Sequence, residues 1–128
     1  MSEITSLLKD KEDFFSAKSA SVNEIEDAEK ELGLKFAADY SEYLLTFGVV
    51  SYFGHELTGI CKSKRLNVVD VSKKQHEKQT AIPLSWYVIE ETNMDGIVIW
   101  QSGTGEIYLS DARSSYRKIA NSLADYVK

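Results

Sequence analysis

Apolar residues return every three or four positions twice in succession between Ser21 and Gly48. Val22, Ile25, Ala28 and Leu32 form the first series, and Tyr40, Tyr43, Leu44 and Phe47 the second. Such spacing gathers apolar side chains on one stripe of a helix, so two amphipathic helices are predicted. Ser21 and Glu24 stand at capping-box spacing, in which each side chain answers an orphan backbone N–H of the other; the first helix starts there. Gly33 follows where a left-handed C-terminal cap forms most easily, and Gly48 closes the second helix. The corner Leu34-Lys35-Phe36 joins them. Upstream, Ile4, Leu7, Leu8, Phe14 and Phe15 fit a helical face with a gap at Lys11, which predicts a helix over roughly residues 3–16.

Beyond Gly48 the pattern changes. Val49 to Ile60 is aromatic and β-branched, punctuated by Gly54 and Gly59, and suits one or two short strands. Residues 62–80 are basic and polar around Leu66, Val68, Val69 and Val71, which predicts a short helix and a mobile loop ended by Pro83. Trp86 to Glu91 reads as a strand, Asn93-Met94-Asp95-Gly96 as a turn, and Ile97-Val98-Ile99-Trp100 as a strand covered on both faces. Gly103-Thr104-Gly105 and Asp111-Ala112-Arg113-Ser114-Ser115 turn the chain into two further strands, and Asn121 or Ser122 can cap a last helix that returns Leu123, Tyr126 and Val127 to the core. The reading is α+β: N-terminal helices, an antiparallel β-sheet meander, and a C-terminal helix packed on the sheet.

At 128 residues the chain suits one domain, 1–128, with a core large enough to need no metal or disulfide staple. Cys61 is the only cysteine, which excludes an internal disulfide and favours a reducing compartment. The start carries Lys9, Lys11 and four acidic residues, breaking any apolar secretion-signal core, and no run approaches a membrane span. A cytoplasmic location is expected. The net charge of −5 is uneven: residues 1–59 carry −7, 60–80 carry +4 and 81–128 carry −2. An acidic face repels a phosphate backbone and attracts a basic protein, so direct nucleic-acid binding is disfavoured. Taken singly, Glu26, Asp27, Glu29, Glu31 and Glu42 also fit the solvated sides of amphipathic helices.

The motifs that could carry catalysis fail on inspection. His55-Glu56-Leu57-Thr58-Gly59 begins like a zinc-protease helix, but Gly59 occupies the place of the second histidine, and His76-Glu77-Lys78-Gln79-Thr80 fails at the same point. One cysteine and two distant histidines do not close a zinc site. Gly103-Thr104-Gly105 lacks the third glycine of a dinucleotide loop, Tyr108 standing there instead. Glu90 and Glu91 are adjacent on a strand and point to opposite faces, one of them towards solvent, so they cannot work as a carboxylate pair. Cys61 reads as a small buried hydrophobe, and Trp86 and Trp100 as core in preference to a stacking platform. No cofactor or metal is expected.

The same residues resemble a family. The Glu-rich helix, the Leu32-Gly33-Leu34 turn, Phe36 with Ala38-Asp39-Tyr40, Leu44-Leu45 and Phe47-Gly48 are similar to the signature of the SUKH superfamily, the yeast cell-wall-synthesis-regulator-like domains that in bacteria are mostly immunity proteins. Asp95 to Trp100, Gly105 to Leu109 and Ile119 to Tyr126 continue the resemblance in order, over roughly residues 22–127. Ala37 stands where members often have proline, and Val49-Val50-Ser51 where they have a glycine-richer loop. The resemblance implies a cytoplasmic immunity protein, monomer or weak homodimer, that binds and occludes a basic toxin, such as a nuclease or other secreted effector, without catalysis. Its competitor is an intracellular scaffold domain with an endogenous partner; a small hydrolase is the remotest reading, since no nucleophile, base and orienting group stand together. Glu56, Glu90, Glu91 and Asp95 are the candidate charges for partner binding, and Tyr52, Phe53 and His55 the candidate anchors.

Overall fold

The computed structural model describes residues 3–113 and 115–128. Helix α1 (Glu3–Lys9) leads to a two-residue strand β1 (Phe15–Ser16), then to helices α2 (Val22–Leu32) and α3 (Ala38–Phe47). Strands β2 (Val50–Tyr52) and β3 (His55–Glu56) follow, then helix α4 (Val68–Lys78). The last third is β4 (Tyr87–Glu91), β5 (Val98–Gln101), β6 (Ile107–Ser110) and β7 (Tyr116–Ala120), ending in helix α5 (Leu123–Val127). The four last strands form an antiparallel meander in chain order, and β1, β2 and β3 form a smaller antiparallel sheet. The architecture is α+β, with a C-terminal helix.

The capping box forms as spaced: Ser21 accepts from the Glu24 N–H, Glu24 accepts from the Ser21 N–H, and Gly33 closes α2 in the left-handed region. Hydrogen bonding from Ser21, its backbone N–H first, also holds the Glu24 carboxyl below the usual carboxylate range. Glu29 is more than a solvated face residue. Its carboxylate accepts the Phe36 N–H at 2.8 Å and so fixes the corner between α2 and α3. At the far end of α3, Gly48 sits at φ 74 with the Lys18 carbonyl where a Cβ would project, and a Cβ on Gly59 would fall on the Gly48 carbonyl. Only glycine fits these two crossings.

The predicted N-terminal helix over 3–16 is corrected to 3–9. The Lys11 N–H turns back to the Leu8 carbonyl, Asp13 takes a left-handed conformation, and Phe15 and Ser16 pair with Ser51 and Val50. Alternation replaces the helical period: Phe14 packs edge-on against Phe47 while Phe15 points to solvent. The basic stretch after Cys61 holds a full three-turn helix, α4, whose sheet-facing positions Ser72 and Gln75, and its C-cap Gln79, are polar and buried.

The large sheet is covered on both sides. One face carries the main core of Tyr40, Tyr43, Leu44, Phe47, Tyr87, Ile89, Ile99, Ile107, Leu123 and Val127. The other carries Val71, Ile82, Trp86, Val88, Val98 and Trp100 around α4. Strand β5 lies inside the sheet and is buried at every position, its apolar residues Val98, Ile99 and Trp100 as expected and Gln101 with them. Trp100 is fully buried, its indole donating to Ser110, and Trp86 stacks on Tyr108 at 4.0 Å. Both tryptophans are core. Cys61 is not fully buried; its thiol donates to the Ser63 carbonyl at 3.4 Å.

Buried tyrosines fasten the layers together. The Tyr87 hydroxyl accepts the Ala37 N–H at 2.8 Å and donates to Gln101 Oε1 at 2.7 Å. Tyr43 donates to the Thr58 carbonyl and accepts the Val50 N–H, and Tyr40 reaches the Thr58 hydroxyl, which itself donates to the Val88 carbonyl. Asp39 splits its two oxygens, Oδ2 accepting the Leu123 N–H at 2.7 Å and Oδ1 accepting from Gln101. Helix α5, also capped by Ser122, is thereby tied to α3.

Candidate functional site

Strands β2 and β3 are joined by two residues, Phe53 and Gly54, at φ 43 and 83. A two-residue hairpin loop with both φ positive is a type I′ turn, which asparagine and glycine fill comfortably and a bulky aromatic does not. Phe53 nevertheless occupies the strained position and is 67% exposed. Its N–H donates to the Glu12 carbonyl at 3.1 Å, which fastens the tip to the turn after α1. Phe15, on the neighbouring strand of the same small sheet, is equally exposed.

Behind the tip lies a connected polar cluster. Tyr52 and His55 are cross-strand partners with stacked rings 5.0 Å apart. His55 Nδ1 lies 2.9 Å from Glu90 Oε2, and the Tyr126 hydroxyl donates to Glu90 Oε1. Because a carboxylate accepts, this contact assigns the proton to Nδ1. Glu90 is only 5% exposed, so a buried carboxylate holds the hairpin base and α5 in one arrangement. Lys11, Glu12, Tyr52, Phe53, His55, Tyr126, Val127 and Lys128 line a groove of about 410 Å³ beside the tip.

The cluster resembles the dyad of a hydrolase only in outline. Burial, and then the Glu90 charge, push the Tyr52 phenol up to about 12 and the Tyr126 phenol higher still, so both stay protonated. Burial also raises the Cys61 thiol, away from the thiolate a nucleophile requires. His76 is turned to structure: its Nε2 contacts the Trp86 carbonyl at 2.8 Å and its ring lies 4.7 Å from Trp100. Among the described residues no three His, Cys, Asp or Glu side chains come together as a metal site, and no helix is long and apolar enough to cross a membrane.

Of the seven side chains singled out in the sequence, Tyr52, Phe53, His55 and Glu90 meet here. The other three do not. Glu56 is held by a bidentate Arg65 at 2.7 and 3.0 Å, which keeps its carboxyl below the usual range. Glu91 faces α4, bonded to Gln75 and paired with Lys74 at 2.8 Å. Asp95 is exposed in the turn between β4 and β5 at φ 52. Glu90 and Glu91 do point to opposite faces, yet neither stands free in solvent; charge reversal at Glu90 would bury an unpaired cation and test folding before binding. Tyr126, Lys11 and Glu12 belong to the site, and nothing in their local sequence marks them, since they reach it only through tertiary folding.

These features define a class: an α+β scaffold of helices on an antiparallel meander, its tyrosines and carboxylates serving as internal fasteners and one strained aromatic presented at a hairpin tip. The whole chain, residues 1–128, matches the SMI1-KNR4 cell-wall family SUKH_5, and it belongs to that family within the SUKH superfamily. That group includes immunity proteins and SMI1-KNR4-like regulatory domains, which are generally non-catalytic. No curated protein matches the chain.

Proposed function

We propose that this chain is an immunity protein that binds a basic toxin and covers its active site, with the β2–β3 hairpin tip as the anchor. Phe53 carries the reading. A bulky side chain held in a left-handed turn costs stability that asparagine would spare, and such local strain gathers where a surface is used. The tip is also rigid, because the Glu12 carbonyl, the Tyr52–His55 stack and buried Glu90 support it; a preorganised aromatic loses little freedom on being buried by a partner. Exposed Glu24, Glu26, Asp27 and Glu31 on α2 supply the negative field that speeds encounter with a basic cleft.

The test is co-purification of the chain with the products of its flanking genes at two salt concentrations, comparing the parent with Phe53→Asn. The variant keeps the turn and loses the anchor. Binding should weaken roughly tenfold or more, as loss of a central aromatic does, while thermal stability stays level or rises. A partner retained at full affinity removes the hairpin from the interface. A partner from elsewhere in the cell, with none from the flanking genes, favours the scaffold reading.

A further inference from the structure

The two edges of the four-stranded sheet are treated differently. Along the outer side of β4, the Val88 N–H donates to the Ser72 hydroxyl at 2.9 Å, and the Val88 carbonyl accepts from the Thr58 hydroxyl at 2.7 Å. The Ile89 carbonyl accepts the Thr58 N–H at 2.8 Å, and Leu57 bridges to Glu90. That edge is closed. At the opposite edge, β7 is exposed from Tyr116 to Ile119, and among the described residues its backbone bonds only to β6. Alternate N–H and C=O groups of such a strand point outward, ready to pair with another chain.

The side chains say which chain would fit. Tyr116 and Ile119 are 47% and 38% exposed on the strand itself. Tyr116 stands edge-on to Trp86 and Tyr108, whose stack continues the apolar shelf inward. Lys118 lies opposite Tyr108 on one face and Arg117 opposite Leu109 on the other, with Arg113 in the preceding turn. Lys118 reaches Glu106 at 3.6 Å, and Arg113 and Arg117 have no ion pair among the described residues. This edge is a basic strip on an acidic protein.

We propose that β7 accepts an extended acidic segment of a partner protein as a fifth strand of the sheet. Main-chain hydrogen bonds would supply affinity, and carboxylates on both faces of the incoming strand would meet Arg117 and Lys118. A second copy is the poorer occupant: antiparallel self-pairing centred on Lys118 sets that lysine against its own image, and like charges directly opposite are destabilising. The strip lies apart from the hairpin tip, and the inference does not require the partner to be a toxin.

The test uses two end-blocked eight-residue peptides in which adjacent pairs of charged residues alternate with pairs of valines, glutamate in one and lysine in the other, so that charge stands on both faces of the strand. Binding is read by NMR shifts and amide exchange of the intact chain. The glutamate peptide should slow exchange in residues 116–120 and bind roughly three- to tenfold more tightly than the lysine peptide, as cross-strand charge pairs allow. The double variant Arg117→Glu, Lys118→Glu, both at exposed positions, should reverse that preference. Equal binding of the two peptides, or no change in residues 116–120, overturns the proposal. Protection of the same amides that grows with protein concentration in the absence of peptide also overturns it, by giving the edge to a second copy.

Discussion

Replacing Tyr87 with phenylalanine removes one oxygen and orphans two buried groups, the Ala37 N–H and Gln101 Oε1. An unsatisfied buried donor costs about 1–3 kcal/mol, so Tyr87→Phe should lower the urea midpoint accordingly without changing the slope of the transition. The loss should exceed that of Tyr116→Phe, whose ring is half exposed at the sheet edge. At this scale the sequence is legible only in part. Trp86 and Trp100 fall in the core on size and strand context alone. Glu90 does not: an acidic residue on a strand is expected to face solvent, and only tertiary folding brings His55 and Tyr126 against it. Cys61 errs the other way, only partly buried where a small apolar residue would be fully so.

Helices whose ends and faces carry strong local signals were the readable elements. Helix α2 owes its boundaries to Ser21, Glu24 and Gly33, and those interactions form within the helix itself. Helix α4 was half hidden because its buried positions Ser72 and Gln75, and its C-cap Gln79, bond to the sheet instead of packing as hydrocarbon, which interrupts the apolar stripe. The short α1 was overextended because β1 gains its partners from β2, a long-range pairing no local period encodes. Helix α5 is the element most dependent on a distant residue. With five residues it is too short to persist alone, and Asp39 answers its first N–H, that of Leu123. Asp39→Ala should therefore cost about 1–2 kcal/mol, as the loss of a helix cap does. Amide exchange should quicken first in residues 123–127, followed by loss of the Tyr126 contact with Glu90; exchange rates that stay at parent values there would show that Ser122 alone holds the helix.

For the molecule as a whole, the buried phenols set the alkaline limit. Tyr40, Tyr43, Tyr52, Tyr87 and Tyr126 are all pushed upward by burial, and the unfolded chain ionises them near their ordinary value of about 10. A folded pKa above the unfolded one means stability that is intact below about pH 10 and declines as pH rises from there towards the folded values. Tyrosinate absorbance from these five rings should consequently appear in one steep step that coincides with loss of circular dichroism. A gradual titration of all seven tyrosines with the fold intact would show that these rings are open to solvent.

Where Gly48 and Gly59 cross, two stretches of main chain touch with no room for a methyl group. On the immunity function proposed above, a saturation screen that scores survival of a challenged cell would register alanine at either position as loss of protection, beside any hit at Phe53. The two kinds of hit differ in abundance: crossing variants vanish from the soluble fraction, whereas a tip variant accumulates and fails. Any map of partner recognition on this scaffold has to be normalised to protein level before a residue is assigned to the interface.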